Sequence, residues 1–200
     1  MELNEKSLKK LKTELRKCWY GNKDGLLARP TLGSLHWHEN GNIEFTNSHI
    51  AVRMIGVHNE GEKHEPKLPN GSIYPDLHRI FESCQKGSFK TILNTKEMMS
   101  ILSPFKVAKS ETIKLTFTAN SITFEPLDGS VINSATLTVK EDISENLIIA
   151  CKTNYLLNAM MFFHSQGIKQ VKMVASSPVR PMLIVHDNIE YIITPVRIGA

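Results

Sequence analysis

The stretch TNYLLNAMMFFHSQG, Thr153 to Gly167, decides the fold class. Wound at 100° per residue, Leu156, Leu157, Ala159, Met160, Met161, Phe162 and Phe163 cover most of the circumference instead of one stripe, so this helix must be buried on nearly all sides. Thr153 stands where an N-cap belongs, the spacing predicts a helix over 154–166, and Gly167 closes it. Strand-like segments surround it, at 147–150 before and at 168–174, 182–186 and 190–196 after. The same order occurs once upstream. A strand at 88–93 leads into Asn94-Thr95-Lys96-Glu97, an N-cap with glutamate three residues on. The helix that follows carries Met98, Ile101, Leu102 and Phe105 on one side, and Pro104 is expected to end or distort its last turn. Strands at 113–119, 121–124 and 134–139 come next. Two helices, each followed by antiparallel strands, define an α+β domain over 87–200, with antiparallel sheets and helices packed on one face.

Residues 1–86 read as a smaller unit. Ser34 to Glu39 alternates, Asn40-Gly41 signals a hairpin, and 42–46 returns as the partner strand, with a further strand at 51–55. From Asn59 to Gly71 the sequence NEGEKHEPKLPNG is charged and rich in turn residues, the signature of a surface connection. A short helical turn is expected at 76–81, and 83–87 is the expected boundary between the units.

The chain has 200 residues, 41% hydrophobic and 22% charged, which excludes wholesale disorder, collagen-like repeats and a continuous coiled coil. No apolar run approaches the roughly 20 residues that span a bilayer, and the start MELNEKSLKK lacks the apolar stretch of a signal peptide. A soluble, cytoplasmic protein without membrane contact is expected. Cys18, Cys84 and Cys151 are far apart and odd in number, against a disulfide framework or a zinc ribbon. The net charge of +4 is local: Lys6, Lys9, Lys10, Lys12, Arg16 and Lys17 against Glu2, Glu5 and Glu14 leave +3 of it in the first twenty residues. Leu8, Leu11, Leu15, Cys18 and Trp19 form an apolar stripe there, and the basic residues fill the remaining arc of an amphipathic helix. That arc reads either as a solvated lysine-rich surface or as a phosphate-contacting face.

Catalytic chemistry finds little support. His36 and His38 share one face of a strand, but no nearby carboxylate or cysteine has the spacing to complete a metal site, so an exposed strand face is expected and no metal. Nucleophile-elbow and phosphate-loop motifs are missing, and the Met98-Met99 and Met160-Met161 pairs sit at core spacing. The expectation is a non-enzyme without a cofactor.

Three ordered segments resemble the bacterial DNA polymerase III beta subunit family, the replicative sliding clamps. They are Ala28-Arg29-Pro30-Thr31-Leu32-Gly33-Ser34-Leu35 with Ile43-Glu44-Phe45-Thr46-Asn47-Ser48-His49-Ile50-Ala51; Ile73-Tyr74-Pro75-Asp76-Leu77-His78-Arg79-Ile80; and a C-terminal set. That set comprises Asn154 to Met160, Ser176 to Ile184, and Tyr191-Ile192-Ile193-Thr194-Pro195-Val196-Arg197-Ile198. The resemblance implies a DNA-clamp fold covering the family's middle and last domains, the middle one shortened, because the chain between Ala51 and Tyr74 is too short for a second helix and its strands. Around His49, Asn47, Ser48 and Ile50 replace the family's Asp, Gly and Arg.

The resemblance further implies a processivity role in DNA replication. Double-stranded DNA would be gripped without sequence readout by Lys9, Lys10, Lys12, Arg16 and Lys17. Polymerases or other clients would place short hydrophobic peptides in a groove walled by Leu32, Thr46, Ser48, His49, Ile50 and Ala51 and by Ile192, Thr194, Pro195, Val196, Arg197 and Ile198. Packing between the two units is the competing role for those wall residues. The helix at 154–166 has no lysine or arginine. A second function class therefore stands beside the first: a clamp-like interaction module or regulator that binds clamp clients without encircling DNA. A homo-oligomer is the remaining partner expected.

Overall fold

The structure is a computed structural model, and it describes residues 9, 13, 30–65, 67–127, 133–139 and 146–198. A short 3-10 turn at Pro30–Gly33 leads into β1 (Leu35–Trp37), β2 (Ile43–Thr46), β3 (Ile50–Met54) and β4 (Lys63–Glu65). Helix α1 (His78–Gln85) precedes β5 (Phe89–Asn94), α2 (Thr95–Val107), β6 (Thr112–Thr118), β7 (Ser121–Pro126) and β8 (Ala135–Thr138). The chain finishes with β9 (Leu147–Lys152), α3 (Thr153–Ser165), β10 (Gln170–Ala175), β11 (Met182–His186) and β12 (Ile189–Ile193).

Two antiparallel sheets organise these strands. One has eight strands in the order β4-β1-β2-β3-β12-β11-β10-β5, and the other has four, β8-β7-β6-β9. The eight-stranded sheet crosses from the N-terminal half of the chain to the C-terminal half where β3 pairs with β12, Ile50 opposite Ile193 and Arg53 opposite Glu190. Side chains alternate across it with period two. One face sends Trp37, Phe45, Val52, Tyr191, Ile184, Met173 and Leu93 into the main core, where they join Leu115, Phe117, Phe124 and Ile149 of the second sheet. Helices α2 and α3 fill the same core with Met98, Leu102 and Phe105 and with Leu156, Met160 and Phe163. The opposite face carries a smaller apolar set. There Ala51, Ile192, Leu183 and Val174 form a small second core under Leu77, Phe81 and Cys84 at α1.

A buried ion pair fixes α1 to that face. Arg53 of β3 donates from Nε to Oε2 of Glu190 on β12 at 2.6 Å, and Nη2 lies 2.6 Å from the same oxygen. Gln85, the last residue of α1, donates to the other Glu190 oxygen at 2.5 Å, and the Arg53 guanidinium lies 4.3 Å from the centre of the Phe81 ring. Gly87, which follows, is compelled by space: a Cβ there would lie 2.6 Å from the Ala175 carbonyl oxygen of β10.

The antiparallel sheets and the two core helices agree with the sequence reading. Asn94 caps α2, its Oδ1 accepting from the Glu97 N–H at 3.1 Å. The hairpin after β1 needs glycine, since Gly41 has φ +85° and a Cβ would meet the His58 carbonyl oxygen at 2.7 Å. Four expectations change. The surface connection at 59–71 contains β4, which pairs with β1 through Leu35–Glu65, His36–His64 and Trp37–Lys63. Only three residues long and largely charged, β4 blunts the sheet edge against further pairing. Helix α1 runs on through Gln85 because Leu77, Phe81 and Cys84 recur at helical spacing over the second core. Pro104 does not end α2, which continues to Val107. Thr153 does not cap α3: Lys152 holds that position without a side-chain bond, and Thr153 is the first helical residue.

Candidate functional site

The two sets of expected groove residues meet at the β3–β12 junction. The turn from β2 to β3 is built by its own polar side chains. Asn47 Oδ1 accepts from the His49 and Ile50 N–H groups, both at 2.9 Å, while Thr46 Oγ1 donates to the Ile50 carbonyl at 2.8 Å and accepts from the Ser48 N–H at 3.1 Å. These bonds hold Ser48 at φ +72°, the left-handed region that L-residues rarely enter. The His49 carbonyl then receives both the N–H and the hydroxyl of Thr194, each at 2.9 Å, just past the end of β12. Beyond Pro195, the Val196 N–H donates to the Ala150 carbonyl at 2.8 Å, so the C-terminal segment is tied to β9. The His49 ring stacks on Tyr155 of α3, 5.9 Å between centroids at 18°.

Exposure divides the expected walls. Ser48, His49, Arg197 and Ile198 are exposed, and Thr194, Pro195 and Val196 are half-buried. Leu32, Thr46, Ile50, Ala51 and Ile192 are buried. Ala51 and Ile192 lie in the second core under α1 and Ile50 lies in the main core, because neighbouring strand residues face opposite sides. These five residues are therefore not accessible, and the accessible members of the set are Ser48, His49, Arg197 and Ile198, with Thr194, Pro195 and Val196 partly so, forming a His49–Thr194–Pro195 rim. Tyr155, half-buried beside His49, belongs to that rim and was not among the expected residues. Its only sequence signal is a hydroxyl-bearing ring in the first turn of a helix otherwise lined with apolar side chains. Burial pushes its phenol pKa upward.

Of the expected DNA-contacting residues, Lys9 is exposed, and the Thr13 hydroxyl donates to its carbonyl at 2.9 Å, a helical i to i−4 contact. Lys10, Lys12, Arg16 and Lys17 lie outside the described residues. Lys96 and Lys106 are exposed on α2.

The β1 histidines are not on an exposed face. His36 is buried, its ring packed against those of His38, His64 and Tyr74 at 3.8, 4.3 and 4.7 Å between centroids. Carboxylates do approach it, across strands and not along the chain: Glu44 lies opposite His36 in register, and Glu62 Oε1 is 3.0 Å from His36 Nε2. Desolvation lowers the His36 pKa, the Glu62 hydrogen bond opposing it, while that bond lowers the pKa of Glu62. Glu44 Oε2 is 3.0 Å from His38 Nε2.

No family model matches the sequence, and no curated protein matches it significantly. Solved structures do match. The Bacillus subtilis DNA polymerase sliding clamp superposes with a TM-score of 0.67 at 19% identity, over 86% of this chain and 58% of that one. The Caulobacter crescentus polymerase III beta subunit gives 0.71 at 15% identity over 84% and 58%. The Helicobacter pylori beta clamp, solved with a bound DNA ligase peptide, gives 0.64 at 17% identity over 84% and 57%. The chain therefore has the sliding-clamp fold, and it spans under three fifths of the length of the clamps it matches.

Proposed function

We propose that this chain is a non-catalytic, clamp-type accessory protein of DNA replication that receives client peptides at the β3–β12 junction and holds double-stranded DNA through the basic segment that carries Lys9, Lys10, Lys12, Arg16 and Lys17. The observation that supports this most is the convergence of His49, Thr194 and Pro195, about 145 residues apart in sequence, on one partly open rim of a clamp fold. Strand order explains why that rim suits a peptide. The half-buried Pro195, Val196 and Tyr155 offer apolar contact, while the His49 and Ala150 carbonyls are already bonded within the protein. A peptide complex of the Helicobacter pylori clamp fits the same reading. No helix among the described residues is long and apolar enough to cross a membrane, and the proposed place of action is the cytoplasm. Among the described residues, strand β5, the other edge of the eight-stranded sheet, pairs only with β10 and offers an edge for self-association.

One sequence feature favours a second reading, a client-binding regulator that does not encircle DNA: α3 carries no lysine or arginine with which to line a channel. Fluorescence anisotropy separates the two. Labelled duplex DNA is expected to bind with affinity that falls steeply with salt, and joint Lys9, Lys10 and Arg16 substitution by alanine should shallow the salt slope. Labelled peptide with leucine and phenylalanine anchors is expected to bind with or without DNA. DNA binding that is absent or insensitive to salt selects the regulator, and loss of both activities refutes both readings. Light scattering with and without DNA then distinguishes a discrete ring-sized oligomer from a monomer.

A further inference from the structure

The β4–β1–β2 end of the eight-stranded sheet carries a cluster that clamp function does not use. His36 lies opposite Glu44 on one side and opposite His64 on the other. His38 and Glu62 are each two residues from a member of that row, so the period of two puts all five on one face. Ring centroids of His36 and His38 are 3.8 Å apart, and those of His36 and His64 are 4.3 Å apart in a stacked pair. The Glu62 carboxylate accepts from His36 Nε2 at 3.0 Å. In the neutral imidazole this bond places the proton on Nε2 and leaves the lone pair on Nδ1. That Nδ1 is buried without a hydrogen-bond partner, as are His38 Nε2, close to Glu44 but out of hydrogen-bond geometry, and His64 Nε2. Three buried imidazole nitrogens without partners on one patch are costly unless something else satisfies them.

We propose that His36, His38 and Glu44 bind a divalent transition-metal ion of the zinc class, with Glu62 orienting His36 and water completing the coordination. One ligand atom from each of His36, His38 and Glu44 lies within 4.8 Å of the other two. Tetrahedral zinc, with bonds of about 2.0–2.1 Å, needs its ligand atoms roughly 3.3 Å apart, a spacing that modest side-chain rotation reaches. The His38 Nε2 and Glu44 Oε2 atoms already stand 3.0 Å apart. Imidazole-rich ligation selects zinc-like ions over calcium and magnesium, which take oxygen ligands. A carboxylate on the far nitrogen of a ligating histidine, as Glu62 is on His36, is the usual outer support of such a site. The ion would join β1 to β2 at the end of the sheet, where β1 is only three residues long.

The test uses the full chain, stripped with chelator and titrated with Zn2+ against a chromogenic indicator and, separately, with Co2+. The site predicts one tightly bound Zn2+ per chain, visible Co2+ absorption of tetrahedral intensity, and a rise in Tm on adding Zn2+. His38→Gln with Glu44→Gln should weaken binding by about 100-fold or more, and Glu62→Gln, on an exposed residue, by about 10-fold. His78→Ala, which removes the solvent-exposed histidine beside Glu82 on α1, should change nothing. The proposal is overturned if the folded wild type binds no stoichiometric Zn2+, if both site variants retain wild-type affinity, or if His78→Ala abolishes binding.

Discussion

Replacing Glu190 by leucine should be among the most damaging single changes in the sheet. The Glu190 and Arg53 side chains are only 3% and 8% exposed, and both carboxylate oxygens are engaged, Oε2 by Arg53 and Oε1 by Gln85. The substitution leaves the guanidinium buried against the Phe81 ring, with His78 Nδ1 at 3.4 Å as a poor replacement. A guanidinium cannot shed its proton, so the charge stays in place. Breaking a buried pair in this way costs about 3–5 kcal/mol, a large part of a typical total of about 5–15 kcal/mol. For a chain of this size that is roughly 6–20 °C in Tm. The converse change, Arg53→Met, leaves the Glu190 carboxylate buried without its charge partner and should also destabilise. The double variant should recover much of the loss, since apolar replacement of both partners is often close to neutral. Urea unfolding followed by circular dichroism measures all three, compared at unchanged m-value. A cost below about 1 kcal/mol for Glu190→Leu, or single costs that simply add in the double variant, would refute the claim that this pair bolts β3, β12 and α1 together.

Three further outcomes follow from local structure. Gly41→Ala should destabilise by about 1–3 kcal/mol in the same urea assay, because φ +85° is strained for alanine and its Cβ would press on the His58 carbonyl at 2.7 Å. Asn94→Ala should cost about 1 kcal/mol by removing the acceptor for the Glu97 N–H, with Asn94→Ser restoring most of it. Burial pushes the Cys151 thiol up to about 12 from an ordinary value of 9.0, so iodoacetamide at mild pH should leave it unmodified by mass spectrometry until the chain is unfolded. Because the unfolded chain releases that proton first, Cys151 also predicts stability that declines as pH rises above about 9.

The parts of this fold legible in the sequence are those with local causes. Strands β5 to β12 and helices α2 and α3 announce themselves by periodicity, and Asn94 by its spacing to Glu97. Strand β4 does not, because Lys63-His64-Glu65 has no apolar alternation and becomes a strand only by pairing with β1. The histidine cluster was hidden for the same reason: cross-strand register, not sequence spacing, sets His36 against His64 and Glu44. At the junction, likeness to clamps grouped His49, Thr194 and Pro195, and the structure brings the β2–β3 turn and the segment after β12 together. The likeness could not separate them from Ala51 and Ile192, which strand alternation and α1 turn into core. Tyr155 enters the rim only through its stacking on His49.

The central claim is that clients bind where the β2–β3 turn meets the segment after β12, and hydrogen–deuterium exchange of the full chain with a saturating leucine- and phenylalanine-anchored peptide tests it most directly. The predicted result is slowed exchange confined to residues 47–51, 153–158 and 193–197, diminished in parallel with affinity by His49→Ala and Pro195→Ala. Protection mapping elsewhere, or a bound peptide whose footprint and affinity ignore both substitutions, would contradict it.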